Sequence, residues 1–341
     1  MSTLDLPSML EMDPETITLS DIDISHIDLW KQDKKWGFFK RLRDEAPVHY
    51  CKSSEYGPFW SITRFEDILE VERNWEIFSS YPRISIADPV EDSNFSAPTF
   101  IAMDPPKHDE QRKTVQGVVA PPNLKELEGT IRSRAGDILD DLPLNKTFDW
   151  VDRVSIELTT QMLATLFDFP YHDRRKLTRW SDVVFARLGE GIIESNEQRQ
   201  NELLECLEYF SKLWKDREKD PSGNDFISMM IRGDATRNLS PQEYLGNILL
   251  LIVGGNDTTR NSISGGVLAL NQHPKEYQKL RENPALIPNM VSEIIRWVTP
   301  LAHMRRTVTK DFEFRGQPMK AGQKVIMWYA SGNRDERIIS C

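Results

Sequence analysis

Apolar residues recur along most of this chain at spacings of three and four, the period of helices with one buried face. That period predicts helices over 35–45, 65–75, 105–119, 123–141, 150–169, 174–188, 197–217, 226–232, 241–271, 274–281 and 287–297. Strict alternation replaces it in two places. At 47–52 and 59–64 it flanks the turn Tyr56-Gly57-Pro58 and predicts a β-hairpin. After Pro300 it runs through 306–309, 312–314, 317–319 and 324–328, with turns at Gly316 and Gly322, and predicts a small antiparallel sheet. Between 79 and 103 neither period holds, and Pro82, Pro89 and Pro98 interrupt the chain. An irregular stretch of that length is usually functional or unstructured, and its apolar members Phe95, Phe100 and Ile101 favour a binding loop. The expected fold class is mainly α with a minor antiparallel β part, in one domain over 1–341 whose residues 1–28 are acidic and weakly patterned.

The longest of these helices organises the rest. Ser240-Pro241-Gln242-Glu243 reads as a capping box with proline at the first helical position, and no breaker recurs before His273-Pro274. Thirty or so residues at about 1.5 Å each reach across a whole domain. Its apolar run Leu249-Leu250-Leu251-Ile252-Val253 is followed directly by Gly254-Gly255-Asn256-Asp257-Thr258-Thr259. Each glycine weakens the helix by about 1 kcal/mol relative to alanine. A central helix that is weakest at mid-length marks a site, where local rules give way to function.

Composition narrows the function classes. The chain of 341 residues is 39% hydrophobic and 28% charged, ordinary for a soluble globular protein, and its formal net charge is -10. An acidic total speaks against nucleic acid as a partner. The three cysteines, Cys51, Cys206 and Cys341, are scattered and form no CxxC pair, which implies a reducing compartment and no zinc site. The acidic N-terminal segment has no secretory signal pattern. The longest purely apolar run, 248–253, is far too short to span a membrane. The expected location is cytoplasmic.

Four constellations carry candidate chemistry. On the long helix Gly254 and Thr258 share a face one turn apart, so a flat ligand can approach the backbone and the Thr258 hydroxyl can bond the carbonyl four residues back. Asp257 beside them can take protons from solvent and pass them inward. Glu293 and Arg296 lie three apart on one helix face and can form a bidentate pair. In Met103-Asp104-Pro105-Pro106-Lys107-His108, Asp104 is expected to cap a helix with Pro105 at its first position. His108 and Arg112 then make an i, i+4 pair of cations suited to a carboxylate ligand. Finally, in His303-Met304-Arg305-Arg306 one arginine can grip an anionic group where the chain enters the sheet.

Singly these signals are weak, but their order and spacing together resemble a cytochrome P-450. The resemblance runs from about Pro47 to Arg334 and ends in Ala330-Ser331-Gly332-Asn333-Arg334-Asp335, similar to the Asn-Arg-Asp segment of bacterial members. It implies haem b as cofactor, with Gly254 and Gly255 over its plane and Thr258 bonding dioxygen and its water there. Asp257 would relay protons, and His108, Arg112 and Arg306 would bind the haem propionates, Arg305 being the second choice. Glu293 and Arg296 would be the structural pair that keeps the haem-side scaffold in shape. The motifs Gly254–Asn261 and Trp297–Arg306 most resemble the soluble bacterial branch that hydroxylates alkanes and fatty acids at the terminal carbon. That branch takes electrons from a ferredoxin and its ferredoxin reductase. Sterol and terpene hydroxylases share much of this vocabulary. Apolar residues of 79–103 and 183–193 would line a channel for a long apolar substrate.

The family's axial ligand is a cysteine thiolate in a Phe-x-x-Gly-x-x-x-Cys-x-Gly loop. Cys341, in Arg337-Ile338-Ile339-Ser340-Cys341, lacks that context and is not assigned, so no metal ligand is assigned and the axial cysteine is expected beyond Cys341. The P-450 fold is accordingly expected to be incomplete at its C-terminus, and the chain by itself inactive. The alternative from another class is a catalytically silent helical protein that binds an apolar ligand or a partner. A phosphate-binding α/β reading of Gly254-Gly255 fails because no strand precedes the glycines.

Overall fold

The computed structural model describes residues 9–88 and 97–339. Pro89, Phe95 and Cys341 lie outside the described residues. The helices are α1 (Ile27–Lys31), α2 (Lys35–Glu45), α3 (Phe65–Arg73), α4 (Lys107–Val115), α5 (Pro121–Asp140), α6 (Glu157–Leu166), α7 (Arg175–Phe185), α8 (Asn196–Arg217), α9 (Phe226–Arg232), α10 (Pro241–Gln272), α11 (Pro274–Glu282), α12 (Ile287–Val298) and α13 (Tyr329–Gly332). The strands are β1 (Val48–Cys51), β2 (Phe59–Ile62), β3 (Phe78–Ser79), β4 (Met304–Val308), β5 (Phe312–Phe314), β6 (Gln317–Met319) and β7 (Lys324–Met327). The mainly α fold with a small β part is the one expected. Among the described residues no helix is long and apolar enough to cross a membrane.

Two compact units emerge. One takes in the described residues of Met1–Asp92, Ala102–Asp104 and Leu301–Cys341; the other takes in Pro105–Pro300 and the described part of Ser93–Ile101.

The first unit is built on a five-stranded sheet in the order β1-β2-β7-β4-β3. The β1–β2 hairpin forms as expected, with Tyr50 opposite Trp60. The C-terminal strands do not make a sheet of their own. β7 pairs antiparallel with β4 but parallel with β2, so the predicted small antiparallel sheet merges with the hairpin into one mixed sheet. Alternation explains why: Val325 and Met327 face one buried cluster while Ile326 and Trp328 face another, so β7 needs partners on both edges and cover on both faces. Only β5 and β6 remain as a separate pair, joined through Gly316 at φ +76°, a conformation other side chains rarely adopt.

The second unit is a helical assembly through which α10 runs. The expected cap is present: the Ser240 hydroxyl accepts from the Glu243 amide at 3.3 Å and the Glu243 carboxylate accepts from the Ser240 amide at 3.2 Å. Phe167, Phe169, Trp180, Tyr209 and Phe210 stack and interlock where α6, α7 and α8 meet, with ring centroids 4.8–6.2 Å apart. Trp180 and Phe210 are essentially fully buried, and truncating either costs about 3–5 kcal/mol. The predicted helix over 150–169 opens instead with a π-helical turn, Val151–Ile156, before α6 begins. The capping role expected of Asp104 is not observed. Its carboxylate accepts from the Ser80 amide at 2.9 Å and from the Ser79 hydroxyl, so it serves the first unit, and α4 starts only at Lys107.

Candidate active site

The middle of α10 presents two different glycines. A Cβ at Gly255 would lie 2.7 Å from Leu163 Cδ2, so this glycine is what allows α6 to approach. A Cβ at Gly254 would meet nothing within 4 Å, and Gly254 is exposed halfway along a helix whose residues 244–249 are almost all buried. One turn on, the Thr258 hydroxyl donates to the Gly254 carbonyl at 2.9 Å, and Ser262 repeats the pattern onto the Thr258 carbonyl at 2.8 Å. The helix stays unbroken through these bonds. Its open face thus carries a hydroxyl beside bare backbone.

Asp257 stands at the edge of that face. At about 100° per residue it lies roughly 60° from Gly254 on one side and roughly 60° from Arg260 on the other. Arg260 donates to Asp257 and, at 3.1 Å, to Asp182 on α7. The three side chains are only 16%, 19% and 29% exposed for Arg260, Asp257 and Asp182. Burial pushes the Asp257 carboxyl above the usual carboxylate range; Arg260 opposes the rise and Asp182 adds to it. A carboxyl tuned upward holds a proton more readily than a free carboxylate and is suited to passing one on.

Near the start of α10, Gly246 and Asn247 hold the segment before α4. A Cβ at Gly246 would lie 2.1 Å from the Pro98 carbonyl oxygen, so only glycine allows the contact. Asn247 accepts from the Phe100 amide at 2.9 Å and donates to Gln111 on α4 at 2.9 Å, and both polar side chains are buried. Sequence reasoning missed this latch. A third glycine in an apolar helical run was its only signal.

The predicted cations fall in both units. His108 and Arg112 lie four residues apart on α4; His108 bonds Asp109 at 2.7 Å and is half-buried, while Arg112 is exposed. In the first unit, β4 turns its adjacent arginines to opposite faces of the sheet. Arg305 is buried and held by Asp88 at 2.7 Å. Arg306 bonds the Arg305 carbonyl at 3.0 Å and reaches Glu72 only at 4.0 Å, which leaves it the less committed of the two. Glu293 and Arg296 form the bidentate pair on α12, with both contacts at 2.6 Å.

A haem fits α10. A flat macrocycle can lie against backbone only where no side chain intervenes, and Gly254 provides that opening with a hydroxyl one turn away. The two described cysteines do not fit as its thiolate. Burial pushes the Cys51 thiol up to about 12 and holds Cys206 well above the usual thiol range, so both stay protonated at neutral pH.

The cytochrome P450 family model matches residues 133–338. Linalool 8-monooxygenase of Pseudomonas putida is 33% identical, over 93% of this chain and 80% of its own length. Methyl-branched lipid omega-hydroxylase of Mycobacterium tuberculosis (strain ATCC 25618 / H37Rv) is 30% identical, over 95% of this chain and 78% of its own. Among solved structures, cytochrome P450-153 from Novosphingobium aromaticivorans is 45% identical with a TM-score of 0.87, covering 93% of this chain and 80% of that one. CYP153D17 from Sphingomonas sp. PAMC 26605 is also 45% identical at a TM-score of 0.87, with coverages of 94% and 81%. The chain therefore belongs to the cytochrome P450 family of haem-dependent monooxygenases.

Proposed function

We propose that the protein hydroxylates the terminal carbon of a medium-chain alkane or fatty acid, with electrons from a ferredoxin and its reductase. The observation that carries this reading is an apolar surface at and just beyond the end of α7. Phe185, Leu188 and Ile192 are 61%, 47% and 39% exposed there, next to fully buried Val183 and Ile193. Large apolar side chains left bare in one short stretch mark a binding surface. Phe100 and Ile101, tied to α10 through Asn247, add to the apolar complement. A substrate recognised this way offers few polar handles, so selectivity comes from shape, at about 1–3 kcal/mol per methylene. The name of the mycobacterial omega-hydroxylase is in keeping with attack at a chain end.

When bound, the haem supplies dioxygen activation and the insertion of one oxygen atom into a C–H bond. The residues of this chain prepare that chemistry. Gly254 leaves open the face against which the ring would lie, and Gly255 sets the distance to α6. The Thr258 hydroxyl holds a proton at Oγ1 on the open face, and Asp257 replenishes it from solvent. His108 and Arg112, four residues apart on α4, would hold the propionates with charge-assisted hydrogen bonds of the strong kind. The Glu293–Arg296 pair fixes the backbone of α12, which packs through Val298 and Ile294 against Gly265 and Gly266 of α10.

The test is turnover of octane, dodecanoic acid, linalool and a cholesterol derivative, each with a ferredoxin and its reductase or with a flavodoxin. The reading expects the straight-chain substrates and the ferredoxin to give the fastest product formation. Preference for linalool would replace it with a terpene hydroxylase, the second reading, which the 33% identity to linalool 8-monooxygenase favours. Equal turnover with the flavodoxin would remove the ferredoxin from the account.

A further inference from the structure

We propose that Arg260 is a positioning residue that ties the proton-carrying carboxylate of Asp257 to α7 through Asp182, so that the placement of α7 governs proton supply. The proposal rests on the reading of Asp257 as the proton carrier. It adds what controls that carrier.

One guanidinium serves two carboxylates from two helices. All three side chains are mostly shielded, so their attraction is not screened away as it would be at the surface. Other charged groups on the packed elements are spoken for. Glu157 at the start of α6 is held by Arg174 at 2.9 Å and Arg175 at 2.8 Å. On α7, Arg179 is tied to Glu202 of α8, and on α12 Glu293 and Arg296 hold each other. Among the described residues, Arg260 and Asp182 are the charges that act on Asp257.

Asp182 also shares a helix face with Phe185, three residues on, which is the most exposed apolar side chain of the proposed substrate surface. A substrate packed on Phe185 therefore holds the helix that carries Asp182. With α7 in place, Arg260 is divided between two acids and its grip on Asp257 is loosened, so the carboxylate can cycle its proton. With α7 displaced, Arg260 falls wholly to Asp257 and keeps it ionised. Proton supply then follows substrate occupancy.

The experiment uses the full-length holoenzyme with Asp182→Asn, Arg260→Gln, Arg260→Lys and, as reference, Asp257→Asn. Three quantities are read: the pH profile of product formed per electron pair, the substrate dissociation constant, and amide hydrogen exchange over 175–185. The signs differ between variants. Removing Asp182 takes away a charge that raises the Asp257 pKa, so the limb belonging to Asp257 moves to lower pH. Removing Arg260 takes away a charge that lowers it, so the limb moves to higher pH. Opposite shifts of about half a unit or more are expected, with faster exchange in α7, a several-fold weaker dissociation constant and partial rescue by lysine. Faster exchange with limbs that stay put, or that move the same way, makes Arg260 a simple helix staple and overturns the proposal. An Asp257→Asn enzyme with an unchanged limb and yield removes the carrier reading itself, and this proposal with it. If Arg260→Gln does not fold, Asp182→Asn decides alone: a downward shift supports the proposal and no shift overturns it.

Discussion

The Thr258 hydroxyl donates to the Gly254 carbonyl at 2.9 Å, across one turn of α10 and on its exposed face. That bond sets the Thr258 hydroxyl beside the glycine at which an added Cβ would meet nothing within 4 Å. Thr258→Ala should leave folding within about 0.5 kcal/mol, as for substitutions away from buried features. It should lower the product formed per electron pair on the order of tenfold. Thr258→Ser should keep most of the yield. The check is product set against electron-donor consumption for the three proteins.

Asp257→Asn removes the titrating group while keeping its size. Turnover should fall on the order of a hundredfold, the usual weight of general acid–base catalysis. The substrate KM should change little, because no substrate contact is lost. Steady-state kinetics decides it.

The two adjacent glycines should answer the same substitution differently. Gly255→Ala drives a methyl to 2.7 Å from Leu163 Cδ2 and should cost about 1–3 kcal/mol as overpacking. Gly254→Ala meets nothing and should raise helix stability by up to about 1 kcal/mol. Its methyl, though, stands on the open face and should weaken haem retention. Denaturant unfolding and haem-loss rates separate the pair.

Asn247→Leu should loosen the segment before α4. The Phe100 amide and the Gln111 side chain lose their buried partner, at about 1–3 kcal/mol for each group left unsatisfied. Hydrogen exchange at 100–102 should rise first, followed by a weaker dissociation constant for apolar substrates.

His303, packed at 5.0 Å against the ring of Trp328, is lowered by burial to about 4 from its ordinary value of 6.5. A histidine kept neutral in the fold contributes stability that is complete above pH 6.5 and lost as pH falls toward 4. Unfolding free energy should decline across that window, and His303→Phe should flatten the decline.

Much of this fold was legible in the sequence because its signals are local. The Ser240 cap and the unbroken apolar period mark α10 as Pro241–Gln272 against a reading of 241–271. The β1–β2 hairpin follows from alternation around Tyr56-Gly57-Pro58. What local pattern cannot carry is partnership between distant segments. The parallel pairing of Trp60 with Val325 joins opposite ends of the chain, and Asp104 is drawn from its expected cap by Ser79 and Ser80. The candidate site divides the same way. The back-bond of Thr258 and the Glu293–Arg296 fork are contacts within one turn and could be read directly. The bridge from Arg260 to Asp182 crosses between helices, and the different duties of Gly254 and Gly255 depend on where Leu163 stands.

The most direct measurement is the position of the hydroxyl group formed from octane by the full-length holoenzyme supplied with a ferredoxin and its reductase. Terminal attack predicts the primary alcohol as the dominant product. A mixture ruled by secondary alcohols would contradict it.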